Sequence, residues 1–212
     1  MHYHKQKGFS VVELLISLAI IVVLATITVF QIQSSNRNDE LNTAARQLMA
    51  DIRAMQNRAL AAQDSMACDA GGFYSICEAS TSTCGVNPCN TLIPDAYGIY
   101  LVSGSSTYSL FADLNPTGAL DNKMTDGHER LTSRTLLGLG SEDIFIDDIS
   151  TSLQSGVANA HIAFSRQYGI VTITDPTTPP EPNLITIRLR HSVSNNTIEI
   201  EVNRITGRVS IL

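Results

Sequence analysis

Residues 9–30 read FSVVELLISLAIIVVLATITVF, an apolar run without glycine or proline that carries one charge, Glu13. At about 1.5 Å of rise per residue, a helix over this run extends about 33 Å, close to the hydrocarbon thickness of a bilayer. The segment can span a membrane. Lys5 and Lys7 precede it, whereas beyond it Arg37 is offset by Asp39 and Glu40. That asymmetry places the N-terminus on the cytoplasmic side and the rest of the chain on the exported side.

Two ordinary explanations fit the run poorly. A secretory signal has an apolar core of about 7–15 residues followed by a small-residue cleavage site; this core is longer, and the QIQSSNRNDE after it offers no such site. A plain membrane anchor leaves Glu13 without a reason, because a carboxylate at mid-helix in lipid costs about 2.5–3.5 kcal/mol on insertion scales. The junction Lys7-Gly8-Phe9-Ser10-Val11-Val12-Glu13 resembles the processing site of type IV prepilins and type II secretion pseudopilins. That site is a short basic leader ending in Gly, then Phe, then Glu at the fifth mature position. The resemblance implies that a membrane prepilin peptidase cuts between Gly8 and Phe9 and N-methylates Phe9. It also gives Glu13 a role. In a staggered bundle its carboxylate can meet the Phe9 amine of a neighbouring subunit, and a buried charge is tolerated when paired. Glu13 then sets the register of assembly. Many family members carry Pro where Phe30 stands and Gly where Val22 stands; this chain has neither helix breaker.

At 212 residues the chain has room for one body and an appendage. Apolar residues return at Leu41, Ala45, Leu48, Met49, Ile52, Met55, Ala59 and Leu60, a spacing with the 3.6-residue helical period. The expected division is a leader over 1–8, a transmembrane or filament-core helix over 9–32, its amphipathic continuation over 33–63, and an exported β-rich head over 64–212. Strands are expected at 97–102, 107–112, 144–149, 161–164, 170–174, 184–191, 197–203 and 208–212, where β-branched residues or alternation stand between Gly, Asn, Pro and Ser. The fold class is α+β. The resemblance makes it pilin-like, with one long N-terminal helix, its first half transmembrane, packed on a mainly antiparallel sheet. Tyr97-Gly98-Ile99, residues 111–118 and 164–169, and the run from Ile198 through Asn203 to Gly207-Arg208-Val209 are, in order and spacing, similar to the minor pseudopilin H and minor type IV pilin family. An insert over 68–90 has no counterpart there.

That insert holds all four cysteines, Cys68, Cys77, Cys84 and Cys89, at separations of 9, 7 and 5. Zinc ligands usually pair two to four residues apart, and an exported segment sees an oxidising compartment, so disulfides are expected, with three pairings open. Asp113, Asn115, Thr117, Gly118 and Asp121 resemble the start of an EF-hand loop, but the twelfth position would be Met124 in place of a bidentate Glu. A turn held by Asp and Asn side chains needs no metal. No cofactor is therefore expected, and calcium at Asp113, Asn115 and Asp121 is the alternative.

The charge is uneven. Residues 64–183 carry 14 acids against 4 bases, residues 184–212 carry 2 acids against 4 arginines, and the net −6 becomes −8 once the two leader lysines are gone. If Ser194-Asn195 centres a hairpin, Arg188 faces Glu201 and Arg190 faces Glu199, while Ile187 meets Val202 and Leu189 meets Ile200 on the other face. Arg204 and Arg208 have no partner in that register. Some members of the family bind DNA through a Gly-Arg-any-Arg motif; here Gly207-Arg208-Val209-Ser210 lacks the second arginine, and the acidic total argues against nucleic acid as a partner. His128, His161 and His191 form no metal or nucleophile spacing. The sequence reads as a minor pilin or pseudopilin and not an enzyme. Its expected partners are prepilin peptidase, the cytoplasmic membrane and other pilins, with no small-molecule substrate. The alternative is an adhesive or DNA-capturing tip protein.

Overall fold

A computed structural model of the chain describes residues 10–69, 74–77, 83–84, 87–114, 130–136, 144–166, 171–174 and 182–212. One helix, α1 (Val11–Leu60), runs without interruption through Val22 and Phe30, where the helix breakers of many pilins are missing. The chain divides into two compact units, Met1–Asp39 and Glu40–Leu212.

In the first unit, Val11–Thr28 has a mean hydropathy of 2.7 and none of it is buried. Its hydroxyls are satisfied locally. Ser17, Thr26 and Thr28 donate to the carbonyl oxygens of Glu13, Val23 and Leu24 at 2.8, 2.7 and 2.6 Å. Such back-bonding lets a hydroxyl sit in an apolar medium without an outside partner. Glu13 is the one charged residue of the span.

In the second unit the helix presents Leu41, Ala44, Ala45, Leu48, Ile52, Met55 and Ala59 as a fully buried stripe. Leu60, expected on this stripe, is 61 % exposed. The helix also ends earlier than the expected residue 63. The Ala62 N–H donates to Ala59 O at 3.1 Å and the Gln63 N–H to Arg58 O at 3.0 Å, with Ala62 at φ 46°. This is a Schellman stop with alanine where glycine usually stands, so no glycine marked the end in the sequence. The Tyr97 hydroxyl, which donates to Gln63 O at 2.6 Å and lies 2.9 Å from the Ser65 hydroxyl, holds the exit.

Among the described residues fourteen strands follow: β1 (Ser65–Asp69), β2 (Tyr74–Ile76), β3 (Thr83–Cys84), β4 (Asn87–Pro88), β5 (Asn90–Leu92), β6 (Ala96–Val102), β7 (Thr107–Asp113), β8 (Arg130–Thr135), β9 (Ile144–Thr151), β10 (Asn159–Ser165), β11 (Val171–Thr174), β12 (Leu184–His191), β13 (Thr197–Asn203) and β14 (Val209–Ile211). They form a five-stranded sheet in the order β11-β10-β6-β7-β8, a four-stranded sheet in the order β14-β13-β12-β9, and two small sheets in the insert, β2-β1-β5 and β3-β4. All the pairings are antiparallel. The arrangement is the expected α+β, pilin-like one. The two large sheets meet at the 103–106 turn, where the Gly104 N–H donates to Ile146 O at 2.7 Å and the Ile146 N–H to Ser105 O at 2.9 Å. Tyr97, Ile99, Leu101, Leu110 and Ile162 of one sheet and Ile146, Ile187, Leu189, Ile200 and Val202 of the other share one core with the helix stripe.

The β12–β13 register differs by two residues from the expected one. Arg188 pairs with Glu199, Ile187 with Ile200 and Leu189 with Ile198. A two-residue hairpin turn at Ser194-Asn195, of type I′ or II′, would need positive φ at Ser194; of the two residues Asn195 alone adopts it, at φ 57°, and the loop lengthens to residues 192–195. A shift of two keeps every side chain on its face, which is why the apolar pattern alone did not distinguish the registers.

Gly98 and Ala62 give opposite predictions. A Cβ on Gly98 would stand 2.6 Å from Ile162 O and press on the Phe111 ring, so Gly98→Ala should destabilise the protein by about 1–3 kcal/mol. Ala62→Gly, which relieves a left-handed alanine, should stabilise it by about 0.5–1 kcal/mol. Thermal melts of both variants against the parent check the two signs.

Candidate functional site

Glu13 lies exposed on the first turn of α1. Ser10 stands three residues before it, the spacing of a capping box, and the Leu14 N–H donates to Ser10 O at 3.2 Å. The Ser-x-x-Glu pattern was legible in the sequence and supplies a second reason for a carboxylate here: it complements the positive end of the helix. Gly8 and Phe9, the residues of the expected cleavage, lie outside the described residues.

Two side-chain latches grip the helix, one on each large sheet. On the four-stranded side, His191 is buried at 2 % exposure with Nε2 3.4 Å from Glu40 Oε2. Its Nδ1 accepts the Val193 and Ser194 N–H groups at 3.2 and 3.4 Å. Those bonds fix Nδ1 as the acceptor, so Nε2 carries the proton toward Glu40. No spacing rule pointed to this pair, because the two residues are far apart in the chain and meet only through the fold. On the five-stranded side the Tyr108 hydroxyl donates to Asp51 Oδ2 at 2.6 Å, and Arg134 Nε lies 3.9 Å from the same oxygen. Burial, then the hydrogen bond to the Asp51 carboxylate, raises the Tyr108 phenol above its ordinary value of 10.0.

The remaining candidates stand apart from one another. Cys77 and Cys89 form a disulfide with a Cα separation of 6.4 Å, and Cys68 is also disulfide-bonded. The Cys84 side chain lies outside the described residues. The Sγ atoms of Cys68, Cys77 and Cys89 lie within 4.8 Å of one another, but disulfide sulfurs are not thiolate ligands. Asp113 is fully buried at the end of β7, where its carbonyl accepts the Asp95 N–H at 3.0 Å. Asn115 and Asp121 lie outside the described residues. Arg188 is bound to Glu199 at 2.8 Å, and Arg190 to Asp147 at 3.2 Å in place of a β13 glutamate. Arg204, expected to lack a partner, is half-buried and engaged. Arg208 is exposed. His161 is buried with its ring 4.6 Å from Tyr100 and 6.0 Å from Phe111.

Residues 3–29 match the family model described as the prokaryotic N-terminal methylation motif. No curated protein and no solved structure matches the chain significantly. The motif, with the apolar helix and antiparallel sheets, supports the type IV pilin and pseudopilin superfamily. It implies processing by prepilin peptidase and assembly with other pilins, and it favours a structural subunit over an enzyme. An N-terminal apolar helix is consistent with a membrane-anchored pilin.

The latches predict two outcomes. Tyr108→Phe should lower stability by about 1–2 kcal/mol, because Asp51 loses its donor. A raised phenol favours the fold fully below pH 10 and loses that contribution as the pH climbs above it. The melting temperature should therefore fall more steeply between pH 9 and 11 in the parent than in Tyr108→Phe. Cys77→Ser/Cys89→Ser should cost about 3 kcal/mol in the chain-entropy view of a short loop, and denaturant melts with peptide mapping of the parent check the loss and the pairing.

Proposed function

We propose that the protein is a minor pilin or pseudopilin, a structural subunit of a type II secretion pseudopilus or a type IV pilus. The observation that carries this reading is the methylation motif over 3–29 set at the start of an apolar helix that continues into the scaffold of the head. Prepilin peptidase cuts between Gly8 and Phe9 and methylates Phe9. Until assembly the span lies in the cytoplasmic membrane with the N-terminus cytoplasmic and the head exported. In the filament the span packs among those of other subunits.

Glu13 supplies the register. With the span's hydroxyls bonded to their own helix, its carboxylate is the group in the span that gains most from an outside partner, and the Phe9 amine of a neighbour is the cation within the same layer. A carboxylate in lipid carries a cost, which reaches about 2.5–3.5 kcal/mol at the middle of a span, and that pairing relieves it for Glu13 near the start of the span. The insert around Cys77 and Cys89 is stapled by disulfides because its short strands cannot hold a core of their own.

Intact mass of the protein purified from its native host should show a chain beginning at Phe9 and carrying one added methyl group; a chain still beginning at Met1 would refute the proposal. Glu13→Ala should remain in the membrane fraction and disappear from sheared filaments, and normal incorporation would refute the role given to Glu13.

A further inference from the structure

Among the described residues β14 is an edge of the four-stranded sheet, with no strand paired beyond it. Ser210 pairs with Glu201, the Asn203 N–H donates to Arg208 O at 2.9 Å, and the Leu212 N–H donates to Glu199 O at 2.9 Å. The alternation of an antiparallel ladder then turns the backbone groups of Val209 and Ile211 away from β13. Arg53 of α1 marks that direction, since its Nη2 donates to Val209 O at 3.1 Å. The opposite edge of the sheet is closed: on β9, Ile146 bonds with Gly104 and Ser105, and Ile149 O accepts the Val157 N–H at 2.8 Å.

Along the open edge runs a cleft of about 480 Å³, walled by Met49, Arg53, Gln56 and Asn57 on the helix and by residues 207–211 on the sheet. Both charged residues of its walls are arginines, Arg53 and Arg208, and both are exposed, in a chain of net charge −6. An edge strand beside a basic slot is the geometry of peptide recognition by strand addition, in which main-chain bonds give affinity and alternate side chains give selectivity.

We propose that this cleft binds an extended acidic segment of a partner polypeptide, added as a strand to β14. The Val209 and Ile211 N–H groups donate to the incoming carbonyls, and Ile211 O accepts an incoming N–H. Arg53 and Arg208 meet the carboxylates on the strand's outward side chains, and the Met49 thioether meets an apolar side chain between them. A polynucleotide fits less well, because its phosphodiester backbone has no donor for Ile211 O. Every residue used lies in the Glu40–Leu212 unit, so the inference goes beyond the assembly reading and stands independently of it.

The test uses the full chain in detergent and a synthetic Glu-Val-Glu-Val-Glu peptide blocked at both ends. Titration calorimetry should detect binding, and amide exchange should show new protection at Val209 and Ile211. Arg208→Glu, at an exposed position, should melt like the parent and weaken binding about tenfold or more. A Lys-Val-Lys-Val-Lys peptide and a backbone N-methylated acidic peptide should both fail to bind. Absence of binding at millimolar peptide, equal binding by the N-methylated or lysine peptide, or no protection at Ile211 would overturn the proposal. So would a DNA duplex that binds where the acidic peptide does not, which would give the cleft to nucleic acid.

Discussion

Leu48, Ile52 and Met55 lie fully buried on one face of α1 and share one core with apolar residues of both large sheets. Burying such side chains is worth about 1.5–3 kcal/mol apiece. Neither sheet could exclude water from its inner face without the helix, so the stripe from Leu41 to Ala59 is the contact on which the head depends. Packing alone leaves a helix some freedom to rotate or slide. His191 with Glu40 and Tyr108 with Asp51 remove it, because each is a directed polar contact at the margin of the apolar layer. Leaving either half-buried carboxylate without its donor would carry part of a desolvation penalty, which makes the grip specific.

The same helix serves two solvents. Over Val11–Thr28 it is apolar on every side and exposed, the pattern of a segment meant for lipid or for other helices. From Leu41 onward the apolar residues collapse to one face. Within the head, the two latches fasten to the part of the helix that begins at Glu40. Glu13 and Glu40 illustrate the two environments. Glu40 has its partner within the fold, whereas Glu13 depends in the proposal on a neighbouring subunit.

The strands at 184–191 and 197–203 match their expected bounds because alternation over seven or eight residues is a strong signal with clear turn chemistry between. β8 escaped notice, since Arg130–Thr135 is polar and mostly exposed, an edge strand with little apolar pattern. The short strands of the insert escaped for a related reason: two- and three-residue segments carry no period. The hairpin register erred by two residues because face alternation is blind to even shifts, and only the φ of Asn195 chose between them. The helix end was misplaced because Ala62 takes a conformation that sequence reasoning reserves for glycine.

What the sequence determined by itself was everything set by local order: the membrane-length run, the methylation motif with Glu13 in it, the amphipathic stripe, and the alternation of the main strands. These depend on neighbours along the chain, and their physics is legible from spacing. What the tertiary structure decided was every contact between distant residues. It joined His191 to Glu40 and Tyr108 to Asp51, paired Cys77 with Cys89 among three possible arrangements, buried Asp113, half-buried Arg204, and set β14 at the edge of its sheet beside Arg53 and Arg208. Such meetings follow from how whole layers pack, and no local pattern encodes which distant side chains the packing brings within reach.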